Sequence, residues 1–395
     1  MNTPSTLFCG TVWMGLEEIA QVELNEKLDN CAIVNVSQEL FGDGKRKIFF
    51  TTSVPVTTIT QLRAFEDISI CYLRDYLLQG KKGLNQLSRQ VANILSSPHF
   101  FQTLQYHKQA TTLDKKIKRP SFKVIGTMKG RHDFRRIDAV QTVQDVIQSR
   151  FRRWRFSLEN PALEFWLDVA DGKSSFFLKL SRKPFSQRTY NHLTPVAEVA
   201  KRSRSCQTSG KGTYKIESYE GSLPPTIAYA LAHLSEPTPN ERFMDPMCGL
   251  GTIVAERLLF DLQGIVLGGD VNPEAVEKSL AIIRRLKSSL AGTSPATTGI
   301  FCWDAMQLPL KDGTIDKIAC NLPFGKKFPV NQEMLIALVN KFARVVRPNG
   351  VCVLLTQSQE MFNIALKRCG QWNVEKRFVI NLLGLRPNVY KLRRR

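Results

Sequence analysis

Between Arg242 and Thr252 the chain reads Arg-Phe-Met-Asp-Pro-Met-Cys-Gly-Leu-Gly-Thr, and no other stretch restricts its fold as tightly. A short apolar run, Phe243-Met244, ends in Asp245-Pro246. Two glycines one residue apart, Gly249 and Gly251, follow, and an amphipathic segment runs on from Ile253 to Leu262. This is the pattern of a buried strand turning tightly into a helix, with glycines that let a ligand press against bare backbone. A dinucleotide fingerprint needs a third glycine three positions after Gly251, and Val254 stands there. The next apolar run, Gly264-Ile-Val-Leu-Gly-Gly-Asp270, ends in an acid. Asp270 lies about twenty residues past the glycines, where such folds bind ribose hydroxyls with a carboxylate. A nucleoside cofactor other than a dinucleotide fits these residues.

From Asn240 onward apolar runs alternate regularly with amphipathic segments. The pattern predicts strands at 242–245, 264–270, 299–303, 315–320 and 350–356, and helices at 250–262, 273–287, 331–346 and 359–368. Val374–Leu383 and Asn388–Leu392 read as two closing antiparallel strands. Such alternation gives a mostly parallel sheet covered on both faces, with ligands at the carboxyl ends of its strands. Every candidate site residue falls just after one of these strands. The motif and the acid that follows it resemble the first motifs of S-adenosylmethionine-dependent methyltransferases.

The remainder is basic. The chain of 395 residues carries a formal net charge of +20, with 43% hydrophobic residues. Between Gln102 and Phe156 stand 14 Lys or Arg against four acids, half of the whole excess, with Phe134, Phe151, Trp154 and Phe156 interleaved. Lys115, Lys116, Lys118, Arg119, Lys129, Arg131, Arg135, Arg136, Arg152 and Arg153 are the candidate phosphate contacts. Cations against phosphate supply salt-dependent, largely sequence-blind affinity, and aromatic rings stack on unpaired bases. No apolar run is long enough to span a membrane. The nine cysteines are scattered without Cys-x-x-Cys pairs, so they read as reduced residues and a zinc site built by this chain alone is not expected.

Residues 6–75 alternate as β-α-β-β, a small ferredoxin-like layer. Pro120-Ser-Phe-Lys-Val-Ile-Gly-Thr-Met-Lys-Gly-Arg-His-Asp-Phe134, followed by a helix, resembles the centre of a THUMP domain, a module that binds RNA ends. Ser186-Gln-Arg-Thr-Tyr190 then precedes a polar Ser/Lys/Gly-rich stretch, and Gly221-Ser-Leu-Pro-Pro-Thr-Ile-Ala228 reads as a helix start. Thr226 there either bonds the amino-acid end of the cofactor or caps the helix. Asp304, after Ile300-Phe-Cys-Trp, either accepts from an adenine amino group or caps the segment that follows.

Ile318-Ala-Cys-Asn-Leu-Pro-Phe-Gly325 completes the pattern. An exocyclic amine attacks poorly because its lone pair is delocalised into the ring. The Asn321 carboxamide and a main-chain carbonyl at Leu322 or Pro323 can each accept a hydrogen bond from it, which aligns the nitrogen and favours its pyramidal form. Pro323 fixes the turn and Phe324 can stack on the base.

Taken together the chain resembles the eukaryotic THUMP-domain RNA guanosine-N2 methyltransferases. The resemblance implies a Rossmann-like class I methyltransferase domain over 221–395, preceded by an α+β ferredoxin-like region over 1–75, a THUMP domain over 76–185 and a linker or insertion over 186–220. It implies S-adenosylmethionine as cofactor, oriented by Asp245 and Pro246, lined by Gly249 and Gly251, and held through Asp270, Asp304 and Thr226. The motif variants look closest to the branch that methylates U6 spliceosomal snRNA, with the tRNA acceptor stem as the alternative substrate. A silent RNA-binding scaffold is the rival of another class. The resemblance further implies a small shared activator subunit as heterodimer partner, and a nuclear location, with the cytoplasm as alternative.

Overall fold

The computed structural model describes residues 6–38, 44–110, 119–181, 184–188, 190, 223–290, 295–324 and 330–395. Contacts divide the chain into two compact units, Met1–Ser186 and Gln187–Arg395.

The first unit begins with β1 (Thr6–Trp13), α1 (Glu17–Lys27), β2 (Ala32–Val36), β3 (Lys45–Thr52), α2 (Val56–Ile59) and β4 (Asp67–Leu77). It continues through α3 (Gly83–Ser96), α4 (Pro98–Ala110), β5 (Ser121–Lys129), α5 (Arg136–Arg150), β6 (Arg155–Phe156), β7 (Leu163–Ala170) and β8 (Lys173–Lys179). Alternating burial along these strands puts one row of apolar side chains under the helices, as a half-buried strand requires. Phe122, Phe165, Phe176 and Leu178 meet Leu87 and Val91 of α3 and Val143 and Ile147 of α5 in one core. The eight strands form a single sheet in the order β2-β3-β1-β4-β8-β7-β5-β6. The ferredoxin-like and THUMP-like regions expected on either side of residue 75 are therefore joined edge to edge, through the β4–β8 pairing. β5 and β7 run parallel with α5 between them in sequence, so the basic loop 130–135 leaves the carboxyl end of β5.

The second unit comprises α6 (Pro225–Leu234), β9 (Glu241–Asp245), α7 (Thr252–Leu258), β10 (Gly264–Asp270), α8 (Pro273–Ser289), β11 (Ala296–Cys302) and β12 (Ile315–Asn321). It closes with α9 (Gln332–Val345), β13 (Val346–Thr356), α10 (Gln359–Cys369), β14 (Trp372–Val379) and β15 (Asn388–Arg394). The sheet order is β11-β10-β9-β12-β13-β15-β14. Strands β9 to β13 are parallel, and β15 and β14 return antiparallel. Chain order reverses between β9 and β12, which opens a crevice at their carboxyl ends, the usual ligand position of such sheets. Helix α7 is shorter than the expected 250–262: left-handed Gly251 holds its start to Thr252, and it ends at Leu258, just before the turn in which Asp261 takes φ +55°.

The expected strand Asn388–Leu392 extends to Arg394 as β15, with Lys391 and Arg393 paired to Glu236 and Glu375. Among the described residues no helix is long and apolar enough to cross a membrane, and no group of three or more His, Cys, Asp or Glu is placed to hold a metal ion.

Candidate functional site

Asp245 ends β9, Asp270 ends β10 and Asn321 ends β12, so three of the expected residues stand on neighbouring strands at one edge of the sheet. The loop between β9 and α7 is held by its own backbone. Gly251 N–H donates to Cys248 O at 2.7 Å, and Cys248 N–H donates to Gly269 O at 2.8 Å across to β10. Gly249 and Gly251 both have positive φ, +51° and +76°. A Cβ on Gly251 would lie 2.2 Å from Ser279 Oγ, whereas a Cβ on Gly249 would meet nothing within 4 Å. The first glycine faces open space in which a ligand fits; the second is required by close packing of α8 against the loop.

The acids differ in environment. Asp245 is 1% exposed. Burial pushes its carboxyl up to about 8, the Met247 N–H hydrogen bond opposes this, and nearby Asp270 adds to it. Asp270 accepts from Gly249 N–H and from Asn272 N–H, both at 2.9 Å, so it shapes the glycine loop as well as facing the crevice. Asp304 is exposed and accepts from Met306 N–H at 2.8 Å, capping a short 3₁₀ turn at Ala305–Gln307. Thr226 does not cap α6. The N-cap position is Pro224, whose fixed φ starts the helix, and Thr226 lies fully buried inside the first turn.

Asn321 is half-buried, and its Oδ1 is a buried acceptor with no hydrogen-bond partner among the described residues. Leu322 N–H continues the strand pairing to Leu355 O at 2.9 Å. Leu322 is buried, and Pro323 and Phe324 are half-buried.

Two features escaped the sequence reading. Trp303 lies on Gly269, where a Cβ would come within 2.0 Å of the indole, and its Nε1 donates to Pro246 O at 3.0 Å. It thereby ties the end of β11 to the glycine loop, and the Gly268-Gly269 pair at a strand end was the available signal. The second is a buried pair of ion pairs on α7. Glu256 accepts from Tyr190 Oη at 2.5 Å and Arg188 Nε at 2.9 Å, while Arg257 donates to Glu241 at 2.7 Å. The Arg188-x-Tyr190 segment is thus fastened to the helix that follows the glycines.

In the first unit, Arg119, Lys129, Arg131, Arg135, Arg136, Arg152 and Arg153 are all exposed. Lys115, Lys116 and Lys118 lie outside the described residues. Arg135 and Asp138 form a capping box at the start of α5. Leu78, Met128, Arg131, His132 and Phe134 line a cleft of about 630 Å³ beside that helix start, with the His132 and Phe134 rings 5.7 Å apart. Trp154 is half-buried and stacks on Phe151 at 4.1 Å, whereas Phe156 is 46% exposed.

Residues 213–388 match the family UPF0020, described as RMKL-like, methyltransferase domain. Mouse tRNA (guanine(6)-N(2))-methyltransferase THUMP3 is 28% identical over 274 residues, 67% of this chain and 49% of that protein. Mouse U6 snRNA (guanine-N(2))-methyltransferase THUMPD2 is 29% identical over 202 residues, 51% of this chain and 32% of that protein. The chain therefore spans about half the length of THUMP3 or less of these curated relatives. Among solved structures, TrmN from Thermus thermophilus superposes with a TM-score of 0.70 at 22% identity, covering 99% of this chain and 100% of that one. The Rossmann-like methyltransferase fold read from the sequence is thereby established.

Proposed function

With residues 213–388 matching the RMKL-like methyltransferase domain family and the chain similar to THUMP-type guanine-N2 methyltransferases, we propose that this protein methylates the exocyclic N2 amine of a guanosine in structured RNA. The observation that carries this reading is Asn321 Oδ1, a buried acceptor without a partner among the described residues, at the strand end beside the Asp245–Gly251 loop. A planar amine supplies the missing donor.

S-adenosylmethionine, when bound, supplies an electrophilic methyl group. The open face of Gly249 and the buried carboxyl of Asp245 fit its amino-acid portion, with Pro246, Gly251 and Thr226 beside it. Asp270 takes the ribose hydroxyls and Asp304 the adenine amino group. Asn321 Oδ1 and a carbonyl at Leu322 or Pro323 hold the two amine hydrogens, which turns the nitrogen lone pair out of conjugation with the ring. Phe324 stacks on the base. No strong base is required, because the amine proton becomes acidic only once the nitrogen has formed its new bond. The exposed arginines of loop 130–135 and of 152–153 neutralise phosphates, and His132 and Phe134 face an unpaired end.

The motif variants favour U6 snRNA as substrate. A tRNA acceptor stem is the second reading, favoured by the longer match to THUMP3. A small activator subunit completes the enzyme, and the edge strand β11, with exposed Phe301 and neighbouring Val271, offers it an apolar border. We place the protein in the nucleus, with the cytoplasm as the alternative. The test is incubation of the protein and activator with total small RNA and labelled cofactor, followed by nucleoside mass spectrometry. Label in N2-methylguanosine is expected. Label confined to N6-methyladenosine overturns the base assignment, and no label with no cofactor binding leaves the scaffold.

Cofactor binding is also expected to release a proton. With the Asp245 carboxyl at about 8 in the free protein, the group is largely protonated at neutral pH. A cationic ligand favours the carboxylate, so affinity rises with pH and levels off above about 8. The sign for folding is opposite: an ordinary aspartate ionises near 4 when unfolded, so this group's contribution is full below that value and is lost as pH rises to 8. Calorimetric titration in buffers of different ionisation heat measures the proton directly. A heat of binding independent of buffer at pH 7 contradicts the prediction.

A further inference from the structure

β14 and β15 are joined by a two-residue hairpin that the fold alone does not explain. Leu382 and Leu385 exchange both backbone hydrogen bonds at 2.9 Å around Leu383-Gly384. Both central residues have positive φ, +50° and +84°. This is the pattern of a type I′ turn, which favours Asn-Gly because an ordinary Cβ crowds the backbone there. Among the described residues nine non-glycine positions have positive φ; eight are Asn, Asp or Glu, and Leu383 is the apolar exception. Its neighbours Ile380 and Leu382 are buried, but Leu383 itself is 67% exposed, so no core contact offsets the strain. The tip is nonetheless well held, since Gly384 N–H also donates to Asn381 Oδ1 at 3.2 Å.

Register fixes where this tip stands. Asn321 pairs with Leu355 on β13, Thr356 pairs with Asn388 on β15, and Asn388 pairs with Val379 on β14. The turn therefore rises from the same edge of the sheet as Asn321, its base two strand spacings or about 10 Å to the side and its tip four residues, or about 13 Å, beyond that edge. A strained, exposed leucine standing out above the edge where a base must arrive has a use outside the chain. The N2 amine of a paired guanine gives one hydrogen to its partner base, and its lone pair, normal to the ring, faces the neighbouring bases, so the base must leave its stack before both amine hydrogens can meet Asn321 and its neighbour. Proteins that open nucleic acids insert apolar side chains, leucine among them, between the bases.

We propose that Leu383 is the wedge that enters the RNA stack as the target guanosine leaves it. The proposal rests on the reading that Asn321 holds a guanosine amine. Leu383→Asn tests it, because asparagine suits the turn better than leucine does. Unmodified tRNA and U6 snRNA transcripts serve as probes, whichever the wild-type protein labels. A transcript whose labelled guanosine has been unpaired by changing its partner nucleotide is the second substrate. Thermal stability is expected to hold or rise, and S-adenosylmethionine affinity by calorimetry to stay unchanged. On the native transcript kcat/KM falls about tenfold, and on the unpaired one less than about twofold. Wild-type activity on the native transcript, or an equal loss on both, overturns the wedge. So does a lowered Tm shared by Leu383→Asn and Leu383→Gly, which makes Leu383 a folding residue. Failure of the underlying reading looks different: the wild-type protein then labels no guanosine N2, and the wedge falls with it.

Discussion

Replacing Asn321 by alanine is expected to lower kcat about 100-fold or more while leaving the fold intact. The Oδ1 atom is buried without a partner among the described residues, and an unmet acceptor of that kind costs the folded state about 1–3 kcal/mol. Deleting the carboxamide removes that cost, so Asn321→Ala is expected to unfold at the same temperature as the wild type or slightly higher. The backbone is undisturbed, because the strand pairing beyond it runs through Leu322 N–H and Leu355 O. On the proposed reading the cofactor is held by the glycine loop and RNA phosphates by exposed cations elsewhere in the chain, so the Kd values for cofactor and RNA are expected to change little. Stability held, binding held and turnover lost is a combination that a purely structural asparagine cannot produce. Single-turnover methylation, thermal unfolding and filter binding on one preparation measure all three. Turnover equal to wild type removes Asn321 from the chemistry; a fall in Tm by several degrees makes it a strand-end residue instead.

The legible part of the molecule was the part whose signals are local. Parallel strands buried on both faces are apolar throughout, so β9, β10, β12 and β13 stood out in the sequence, and each carried its polar residue at the carboxyl end. Asp245, Gly249, Gly251, Asp270 and Asn321 could therefore be placed before any coordinate was known. What depends on a distant partner was not legible. Trp303 acquires its place from Gly269, and Glu256 from Arg188 and Tyr190, 68 and 66 residues away. The junction of the two N-terminal regions rests on β4 meeting β8, about a hundred residues apart, with two register shifts. Of the two roles open to Thr226, a cofactor contact or a cap, the cap falls away because Pro224, two residues earlier, sets the start of the helix.

Arg257→Met is expected to destabilise the second unit by about 3–5 kcal/mol, the cost of breaking a buried ion pair from one side. Arg257 is 2% exposed, and its guanidinium lies 5.6 Å from the Phe243 ring and 5.9 Å from that of Phe260. Methionine keeps most of that apolar contact, so the loss isolates the charge. Glu241, 4% exposed, then keeps the Thr238 N–H and Oγ hydrogen bonds, at 3.0 and 2.7 Å, and the charge of nearby Lys317, but loses its direct cationic partner. For a unit of this size the shift is a fall in Tm of about 10 °C. If the unpaired carboxylate is the cause, adding Glu241→Gln to the variant recovers most of the fall, since a neutral pair costs little to bury. A double variant no more stable than the single one assigns the loss to packing against the phenylalanines instead. Function follows from position: α7 starts at the residue after Gly251, and this ion pair joins it to β9, which ends in Asp245. Loosening the pair lets the glycine loop drift between its two anchors, so the single variant, assayed well below its Tm, is expected to bind S-adenosylmethionine more weakly, with the double variant restoring affinity along with stability.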